Sequence, residues 1–349
     1  MRFNDTNPAG YGLVVLVSII LLAGCAKPYV HPTNDENTRP QLTNSYALME
    51  DGYRLPVSRW QATGQTHAIV LALHGMNDYS FAFDNLGNYL AERGITVIAY
   101  DQRGFGKTSG KGLWHGSEQL SADLVTMTKL IKQRNGEVPL YLVGESMGGA
   151  VVLMTLASNE LDIAGATLLA PAIWSREFMP FYQRAALWLA ANTMPSRLLT
   201  GDGLDIEPSD KVEMLKALSK DELVIKATRV DVLYGVSNLM DTAMLASSEI
   251  HGNILLMYGK HDEIIPAEPT CQLLERLADN NPINLDANLY EQGYHMLTRD
   301  MQAEVVLEDI AEWIIEHKRP VGNSKNMHVY CARQHLSLIH ISEPTRQES

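Results

Sequence analysis

The stretch Val143-Gly144-Glu145-Ser146-Met147-Gly148-Gly149 constrains the fold of this chain more than any other. An apolar run, residues 140–143, comes directly before it, and a helix-favouring run, residues 150–157, follows it. The pattern predicts a strand, a sharp turn with Ser146 at its apex, and a helix.

Such a turn imposes its own residue requirements. Side chains two positions before and after the apex would collide, so glycine is needed at both places, and Gly144 and Gly148 supply it. The hydroxyl of Ser146 is then expected to stand above the N-terminus of a helix, where unpaired N–H groups can stabilise an oxyanion.

Strand and helix patterns alternate along much of the chain, which predicts a mostly parallel sheet covered by helices on both faces. A length of 349 residues suits one α/β domain carrying an insertion. The net charge of −13 argues against a nucleic-acid partner and against strong binding to anionic lipid surfaces. Strands are predicted at 53–60, 68–73, 95–100, 140–143, 166–170, 253–258 and 284–289, and helices at 81–93, 119–133, 150–157 and 302–317.

The loop at residues 101–110 is glycine-rich but lacks the spacing of nucleotide-binding motifs. Asp101 stands where a phosphate-binding loop needs its first glycine, and Ser109 stands at the third glycine position of a dinucleotide fingerprint. We therefore expect Asp101 and Arg103 to make structural polar contacts beside the site.

Three features together resemble the α/β-hydrolase superfamily, in particular its monoacylglycerol lipase and lysophospholipase-like branch. They are the turn at 144–149, the loop at 101–110, and His74-Gly75-Met76 directly after the strand 68–73. The resemblance extends over about residues 53–317 and implies an α/β-hydrolase fold with a helical cap insertion. It also implies that serine, acid and histidine follow one another in this order along the chain.

The resemblance further implies an oxyanion hole made of two backbone N–H groups. The first belongs to the turn after strand 68–73 and the second to the residue after the nucleophile. Here these are the N–H groups of Met76 and Met147. The alternative for Met76 is an ordinary strand-to-helix turn.

The acid is expected after the strand 253–258, and Asp262, four residues before Pro266, occupies the position that the resemblance implies. Its role would be to hold the histidine tautomer and stabilise the imidazolium. Glu263 is the competing carboxylate, and a surface ion pair is the alternative role for Asp262. The end of the preceding strand, Ala170-Pro171-Ala172, has no carboxylate, which favours Asp262.

The general base is expected beyond the last strand, 284–289. His295 follows that strand and Gly293, whereas His261 and His251 are weaker candidates. His295 would take the serine proton and return it to the leaving alkoxide.

Between the two parts of the catalytic domain, 46–171 and 250–318, the strand pattern stops. The interval 172–249 is helix-prone and rich in aromatic residues and methionine. We expect it to form a cap whose apolar surface suits an acyl chain, although most of these residues can equally pack the cap onto the sheet.

The N-terminus predicts export and lipidation. Residues 11–22 form an apolar run too short to span a bilayer but typical of a signal peptide. The run ends in Leu22-Ala23-Gly24-Cys25, which resembles a bacterial lipoprotein processing box with Cys25 as the lipidated residue. Residues 1–25 would be the signal peptide including that cysteine, and 26–45 a tether. An ordinary cleaved signal with an incidental cysteine is the alternative.

A lipid anchor would place the protein at the bacterial cell envelope. Ala26 lacks the aspartate associated with inner-membrane retention, which favours the outer membrane in a Gram-negative source.

The other cysteines, Cys271 and Cys331, occur in no paired motif and no zinc spacing. We therefore expect no disulfide framework, with Cys271 a lone thiol packed on a helix. Residues 319–335 are an uncertain tail, and 336–349 resemble translated sequencing adapter rather than natural protein.

These observations predict a serine hydrolase that cleaves carboxylic esters of lipids, of the monoacylglycerol or lysophospholipid type, through Ser146, Asp262 and His295. No metal and no organic cofactor is required by this chemistry. The main alternative is a prolyl aminopeptidase-type peptidase on the same fold, for which Asp202, Asp205, Glu207 and Asp210 could bind a free amine. The other is a non-catalytic binding lipoprotein.

Overall fold

The structure is a computed structural model that describes residues 28–33, 36–201, 203–279, 283–316 and 325–342. The predicted signal peptide, including Cys25, and Asp202 of the cap lie outside the described residues. No helix in the described part of the chain is both long and apolar enough to cross a bilayer.

A ten-stranded sheet forms the centre of the described chain, and a separate two-stranded sheet lies in the insertion. The strands are β1 (Gln41–Leu42), β2 (Tyr46–Leu48), β3 (Arg54–Trp60), β4 (Ala68–Leu73), β5 (Ile95–Tyr100), β6 (Leu140–Glu145), β7 (Gly165–Leu169), β8 (Leu198–Thr200), β9 (Ala227–Arg229), β10 (Gly252–Gly259), β11 (Ile283–Tyr290) and β12 (Lys325–Asn326).

The order of strands in the large sheet is β1-β2-β3-β5-β4-β6-β7-β10-β11-β12. Every pair from β5 to β11 is parallel, and the outer pairs are antiparallel. Every residue of β4, β5 and β6 is buried, as expected of apolar strands covered on both faces. The predicted mostly parallel sheet flanked by helices is confirmed.

The helices of the described chain form two layers on the sheet. They are α1 (Asp84–Ala91), α2 (Ser117–Asn135), α3 (Met147–Ser158), α4 (Phe181–Thr193), α5 (Val212–Lys220), α6 (Val230–Ala246), α7 (Ala267–Ala278), α8 (Ala303–Glu316) and α9 (Met327–Ser342). Helices α2, α3, α6 and α7 contribute to one apolar core, and α1 and α8 contribute to the core on the opposite face of the sheet.

The interval 172–249, for which a cap is predicted, contains α4, β8, α5, β9 and α6. Helix α6 anchors it, because Val232, Leu239 and Ala243 are buried in the core. Helix α4 contrasts with it, since Ala191 is its only buried residue.

The predicted tether, 26–45, is partly integrated into the domain. The N–H of Thr38 donates to the carbonyl of Glu50 at 2.7 Å, and β1 pairs with β2. The N–H of His31 also donates to the carbonyl of Trp114 at 2.6 Å, so the described residues of this segment are docked on the domain rather than free. A polar composition does not reveal such backbone pairing with distant segments.

Cys271 is not a lone thiol. It forms a disulfide with Cys331, with Cα atoms 5.3 Å apart, and so joins α7 to α9. The prediction was wrong because the two cysteines lie 60 residues apart and only the folded chain brings them together. The uncertain tail 319–335 thus contains a covalent link to the catalytic domain.

Candidate active site

Ser146 lies at a strained apex between β6 and α3. Its φ of 51° and ψ of −116° are in a region that non-glycine residues rarely adopt. Its N–H donates to the carbonyl of Leu169, and its carbonyl accepts from the N–H of Ala172, both at 2.9 Å. The surrounding backbone therefore holds the serine in this conformation, and the helix begins directly after it, at Met147.

The glycines of the turn are required by close backbone contacts. A Cβ on Gly144 would lie 2.7 Å from the carbonyl oxygen of Gly148, which is the collision expected from the sequence. A Cβ on Gly148 would instead lie 2.0 Å from the carbonyl oxygen of Leu73 on the neighbouring strand. The turn is thus packed against the end of β4 as well as against itself.

The turn after β4 passes beside the serine. A Cβ on Gly75 would lie 3.3 Å from Cβ of Ser146 and 3.9 Å from its Oγ. Met76 follows Gly75 in this turn and Met147 is the first residue of α3, and neither backbone N–H has an acceptor among the described residues. The arrangement leaves both N–H groups available to a substrate oxygen.

His74 fixes the orientation of this turn. Its Nε2 accepts the N–H of Gln102 at 2.9 Å, so the ring proton is on Nδ1, which donates to the carbonyl of Gly75 at 2.8 Å. Burial lowers the pKa of His74, which keeps the ring neutral. The carbonyl of Gly75 belongs to the same peptide unit as the N–H of Met76, so His74 orients that N–H indirectly.

His295 and Asp262 form a buried hydrogen-bonded pair. Nδ1 of His295 donates to Oδ2 of Asp262 at 2.8 Å, while Oδ1 of Asp262 accepts the N–H groups of Ile264 and Ile265. Burial by itself lowers the pKa of His295, but the charge and hydrogen bond of Asp262 outweigh it, so the pKa is raised above 6.5. With its proton on Nδ1, the ring presents Nε2 as a base.

The competing candidates lie elsewhere. The carboxylate of Glu263 accepts the N–H of Glu207 at 2.7 Å, and the ring of His261 stacks on Tyr294. His251 lines a separate groove beside Gly165. The structure thus brings Asp262, rather than Glu263, to His295.

A buried arginine connects three loops of the site. Nη1 of Arg299 donates to Oδ2 of Asp78 at 2.7 Å, and Nη2 donates to Oε2 of Glu145 at 2.8 Å. Glu145 precedes Ser146, and Arg299 follows His295 by four residues. Burial disfavours the charge of Arg299, but Glu145 and Asp78 together raise its pKa. Sequence reasoning missed this residue, because no local motif marks it.

Comparison with known proteins identifies the family. Residues 64–302, more than half of the chain, match the model of the Hydrolase_4 family, which is described as "Serine aminopeptidase, S33". The chain belongs to the Hydrolase_4 family. The prediction of a serine hydrolase of the α/β-hydrolase superfamily is therefore confirmed.

Curated relatives of this Hydrolase_4 member cover most of its length. It is 24% identical to a monoglyceride lipase of Rattus norvegicus over 82% of this chain and 93% of that protein. It is 23% identical to a monoacylglycerol lipase of Mycolicibacterium smegmatis over 76% of this chain and 94% of that protein.

A solved structure shares the fold. A soluble variant of monoglyceride lipase from Saccharomyces cerevisiae, in complex with a substrate analog, superimposes with a TM-score of 0.65 at 20% identity. The match covers 81% of this chain and 99% of that one.

The cap of this Hydrolase_4 member is attached to the turn that carries Met76. The side-chain Nδ2 of Asn77 donates to Oγ1 of Thr228 at 2.8 Å. The backbone carbonyl of Asn77 accepts the N–H of Ile225 at 2.9 Å. The hydroxyl of Tyr79 donates to Asp221 at 2.8 Å. The position of the cap is therefore coupled to the geometry of the turn.

The cap also contacts the loop that carries His295. The N–H of Met296 donates to the carbonyl of Pro208 at 3.0 Å, and Asp210 accepts the N–H of Met301 at 2.8 Å. Desolvation raises the pKa of the neighbouring Asp300 to about 6. The acidic cap residues Glu207 and Asp210 thus lie beside the acid and histidine loops, whereas Asp202 is outside the described residues.

The loop 101–110 has the structural role expected of it. Asp101 accepts the N–H groups of Ser80 and Lys107, and the buried Arg103 pairs with Asp51 and Asp123. Among the described residues, no group of three or more His, Cys, Asp or Glu could hold a metal ion.

Proposed function

We propose that this Hydrolase_4 member hydrolyses carboxylic esters of lipids, of the monoacylglycerol or lysophospholipid type. The observation that carries the proposal is the buried pair of His295 and Asp262 in the loops around the strained Ser146. The names of the curated relatives, monoglyceride and monoacylglycerol lipase, support the substrate class.

In the proposed reaction, Oγ of Ser146 attacks the ester carbonyl while Nε2 of His295 takes the hydroxyl proton. Asp262 stabilises the imidazolium that forms. The N–H groups of Met76 and Met147 donate to the developing oxyanion. When the tetrahedral intermediate collapses, His295 returns the proton to the leaving alkoxide, and an acyl-enzyme remains.

Water resolves the acyl-enzyme by the same steps. His295 takes a proton from water, and the resulting hydroxide attacks the acyl carbonyl beside the same two N–H groups. Collapse of the second intermediate releases the fatty acid, and the proton returns to Oγ of Ser146. No metal or organic cofactor enters either step.

We further propose that the enzyme is exported and anchored through a lipidated Cys25 at the bacterial cell envelope, in the outer membrane if the source is Gram-negative. The disulfide between Cys271 and Cys331 supports export, because structural disulfides persist mainly in oxidising compartments. Metabolic labelling with a fatty-acid analogue tests the anchor: wild type should incorporate the label, and a Cys25→Ser variant should not.

Peptidase activity is the second candidate. The family description names an aminopeptidase, and the acidic residues Glu207 and Asp210 lie beside the histidine loop, where they could bind a free amine. The carboxylate of Asp210 already accepts the N–H of Met301. We therefore place ester hydrolysis first.

One set of assays separates the candidates. The chain from residue 26 onward would be given a monoacylglycerol, a short-chain aryl ester and a proline aryl amide, with Ser146→Ala as the matched control. Ester turnover that the substitution abolishes is the expected result. Amide turnover without ester turnover would support the peptidase, and the absence of all turnover would support a non-catalytic binding lipoprotein.

A further inference from the structure

Glu145 places a carboxylate in an otherwise uncharged strand, directly before Ser146. Every residue of β6 is buried, and Glu145 is 2% exposed. Its Oε2 accepts Nη2 of Arg299 at 2.8 Å, while its Oε1 has no hydrogen-bond partner among the described residues. A buried ion pair adds little stability compared with apolar side chains of similar volume, so its presence here points to a role other than stability.

The loop that carries His295 is closed by its own hydrogen bonds. The N–H of Arg299 donates to the carbonyl of Met296 at 2.7 Å, and the N–H of Tyr294 donates to Oδ2 of Asp300 at 2.7 Å. His295 lies inside this closed segment. The position of the guanidinium at one end of the segment therefore limits where the imidazole can lie.

The guanidinium of Arg299 bridges two turns of the site. Its Nη1 donates to Oδ2 of Asp78 at 2.7 Å, and its Nη2 donates to Glu145. The N–H of Asp78 in turn donates to the carbonyl of Gly75 at 3.3 Å, so Asp78 belongs to the same hydrogen-bonded turn as Met76. A planar guanidinium presents its donors in fixed directions and so sets the spacing of the two carboxylates, which the single ammonium of a lysine cannot do.

Among the described residues, three charged groups act on the imidazole of His295. Burial lowers the pKa of His295, and the charge and hydrogen bond of Asp262 raise it. The carboxylate of Glu145, at the end of β6, raises this pKa further, whereas the guanidinium of Arg299 lowers it. The two members of the ion pair therefore have opposite effects on the same base.

We propose that Arg299 and Glu145 are positioning residues of the hydrolytic reaction: their ion pair holds the turn of Ser146 against the loop of His295 and balances the charges that act on the imidazole. This inference rests on the proposed ester hydrolysis and adds two residues outside the triad to it. A displacement of about 1 Å between reacting groups can cost on the order of a hundredfold in rate. The pair is therefore expected to act on the chemical step rather than on substrate binding.

Arg299→Lys tests the positional part of the proposal. The lysine keeps the positive charge but cannot donate to both carboxylates in the same geometry. In the chain from residue 26 onward, we expect kcat for a water-soluble aryl ester to fall by about 10- to 100-fold, with KM changed by no more than about twofold. The matched control is Arg103→Lys, which alters a buried arginine paired with Asp51 and Asp123. It should lower the urea midpoint to a similar extent and change kcat by no more than about threefold.

Glu145→Gln tests the balance of charges. The amide oxygen still accepts a hydrogen bond from Arg299 but carries no charge, so the imidazolium of His295 loses one of the charges that favour it. The acid limb of kcat/KM should therefore move to lower pH than in wild type. Arg299→Lys keeps the cation and should leave the midpoint of the acid limb near its wild-type value. Because Glu145→Gln retains the hydrogen bond, it also tests the proposal if Arg299→Lys does not fold.

Three results would overturn the proposal. The first is wild-type kcat in Arg299→Lys. The second is an equal fall in kcat for the two lysine variants at an equal loss of stability, since the effect would then be structural only. The third is an acid limb that stays in place or moves to higher pH in Glu145→Gln.

The rate of labelling by a fluorophosphonate probe separates this inference from the proposed function. Labelling requires an activated serine but no particular ester substrate. A wild-type protein that neither hydrolyses an ester nor reacts with the probe would contradict the proposed function and this inference together. Wild-type turnover and labelling that Arg299→Lys and Glu145→Gln leave unchanged would contradict the positioning role alone.

Discussion

Arg299, in the loop that carries His295, donates a hydrogen bond of 2.8 Å to Glu145, the residue directly before Ser146. The same guanidinium donates to Asp78, two residues after Met76. One buried cation thus connects the turn that carries Ser146, the turn that carries Met76 and the loop that carries His295. The guanidinium and both carboxylates are buried. Loss of any one of them would therefore leave a buried charge without its partner, which is strongly destabilising.

Removal of this cation should destabilise the folded protein. Arg299→Met leaves the carboxylates of Asp78 and Glu145 buried without their partner, and we expect the free energy of unfolding to fall by about 3–5 kcal/mol. Urea denaturation measures the change. The matched control is Lys132→Met, which breaks the exposed pair with Asp162 and should cost no more than about 1 kcal/mol. Equal effects of the two substitutions would contradict the role assigned to Arg299.

Asp262 should act through the histidine. In Asp262→Asn the new amide donates a hydrogen bond to Nδ1 of His295, so the ring proton moves to Nε2 and the base is lost. We expect kcat for a soluble ester to fall by roughly three to four orders of magnitude, while the fold is retained. Glu263→Gln is the matched control and should change kcat only slightly. A larger fall in kcat for Glu263→Gln than for Asp262→Asn would identify Glu263 as the acid.

The pH dependence of kcat/KM should report the raised pKa of His295. Only the neutral imidazole accepts the serine proton, so activity is lost as the pH falls through the pKa of this residue. Because Asp262 raises that pKa, the acid limb should have its midpoint above 6.5. The profile would be measured with a soluble ester whose own groups do not titrate in this range. A midpoint below 6.5 would show that burial outweighs the carboxylate.

The disulfide should contribute substantially to stability. Closing a loop of 60 residues in the unfolded chain is worth roughly 4 kcal/mol in the chain-entropy model. We therefore expect Cys331→Ser to lower the urea midpoint by a corresponding amount under oxidising conditions. In the presence of reductant, wild type and the variant should unfold together. An unchanged midpoint in oxidising buffer would mean that the bond adds no stability.

Ser146, Asp262 and His295 could be proposed as a triad from the sequence because each has a local signal, and the structure pairs Asp262 with His295. Ser146 is marked by glycines at fixed spacing between a strand and a helix, and Asp262 and His295 each follow a predicted strand. The sequences of β4, β5 and β6 predicted strands equally clearly, since a strand buried on both faces must be apolar throughout. The start of α3 was less clear, and it lies at Met147 rather than Ala150.

The features that sequence reasoning missed are long-range. The ion pairs of Arg299 join residues separated by 154 and 221 positions, and the disulfide joins two cysteines that lie in unrelated segments. No periodicity or spacing reports such pairs. The exposed face of α4 was also missed, because an aromatic helix that packs on a core and one that faces outward have the same composition.

Fluorophosphonate labelling tests the central claim, that Ser146 is the nucleophile of a working triad, most directly. The probe phosphonylates an activated serine with loss of fluoride, and mass spectrometry of the digested protein locates it. We expect one labelled peptide containing Ser146, no labelling in Ser146→Ala, and wild-type labelling in Ser158→Ala, which alters an exposed serine at the end of the same helix. Labelling of Ser146→Ala at the wild-type rate, or of a different serine in wild type, would contradict the account.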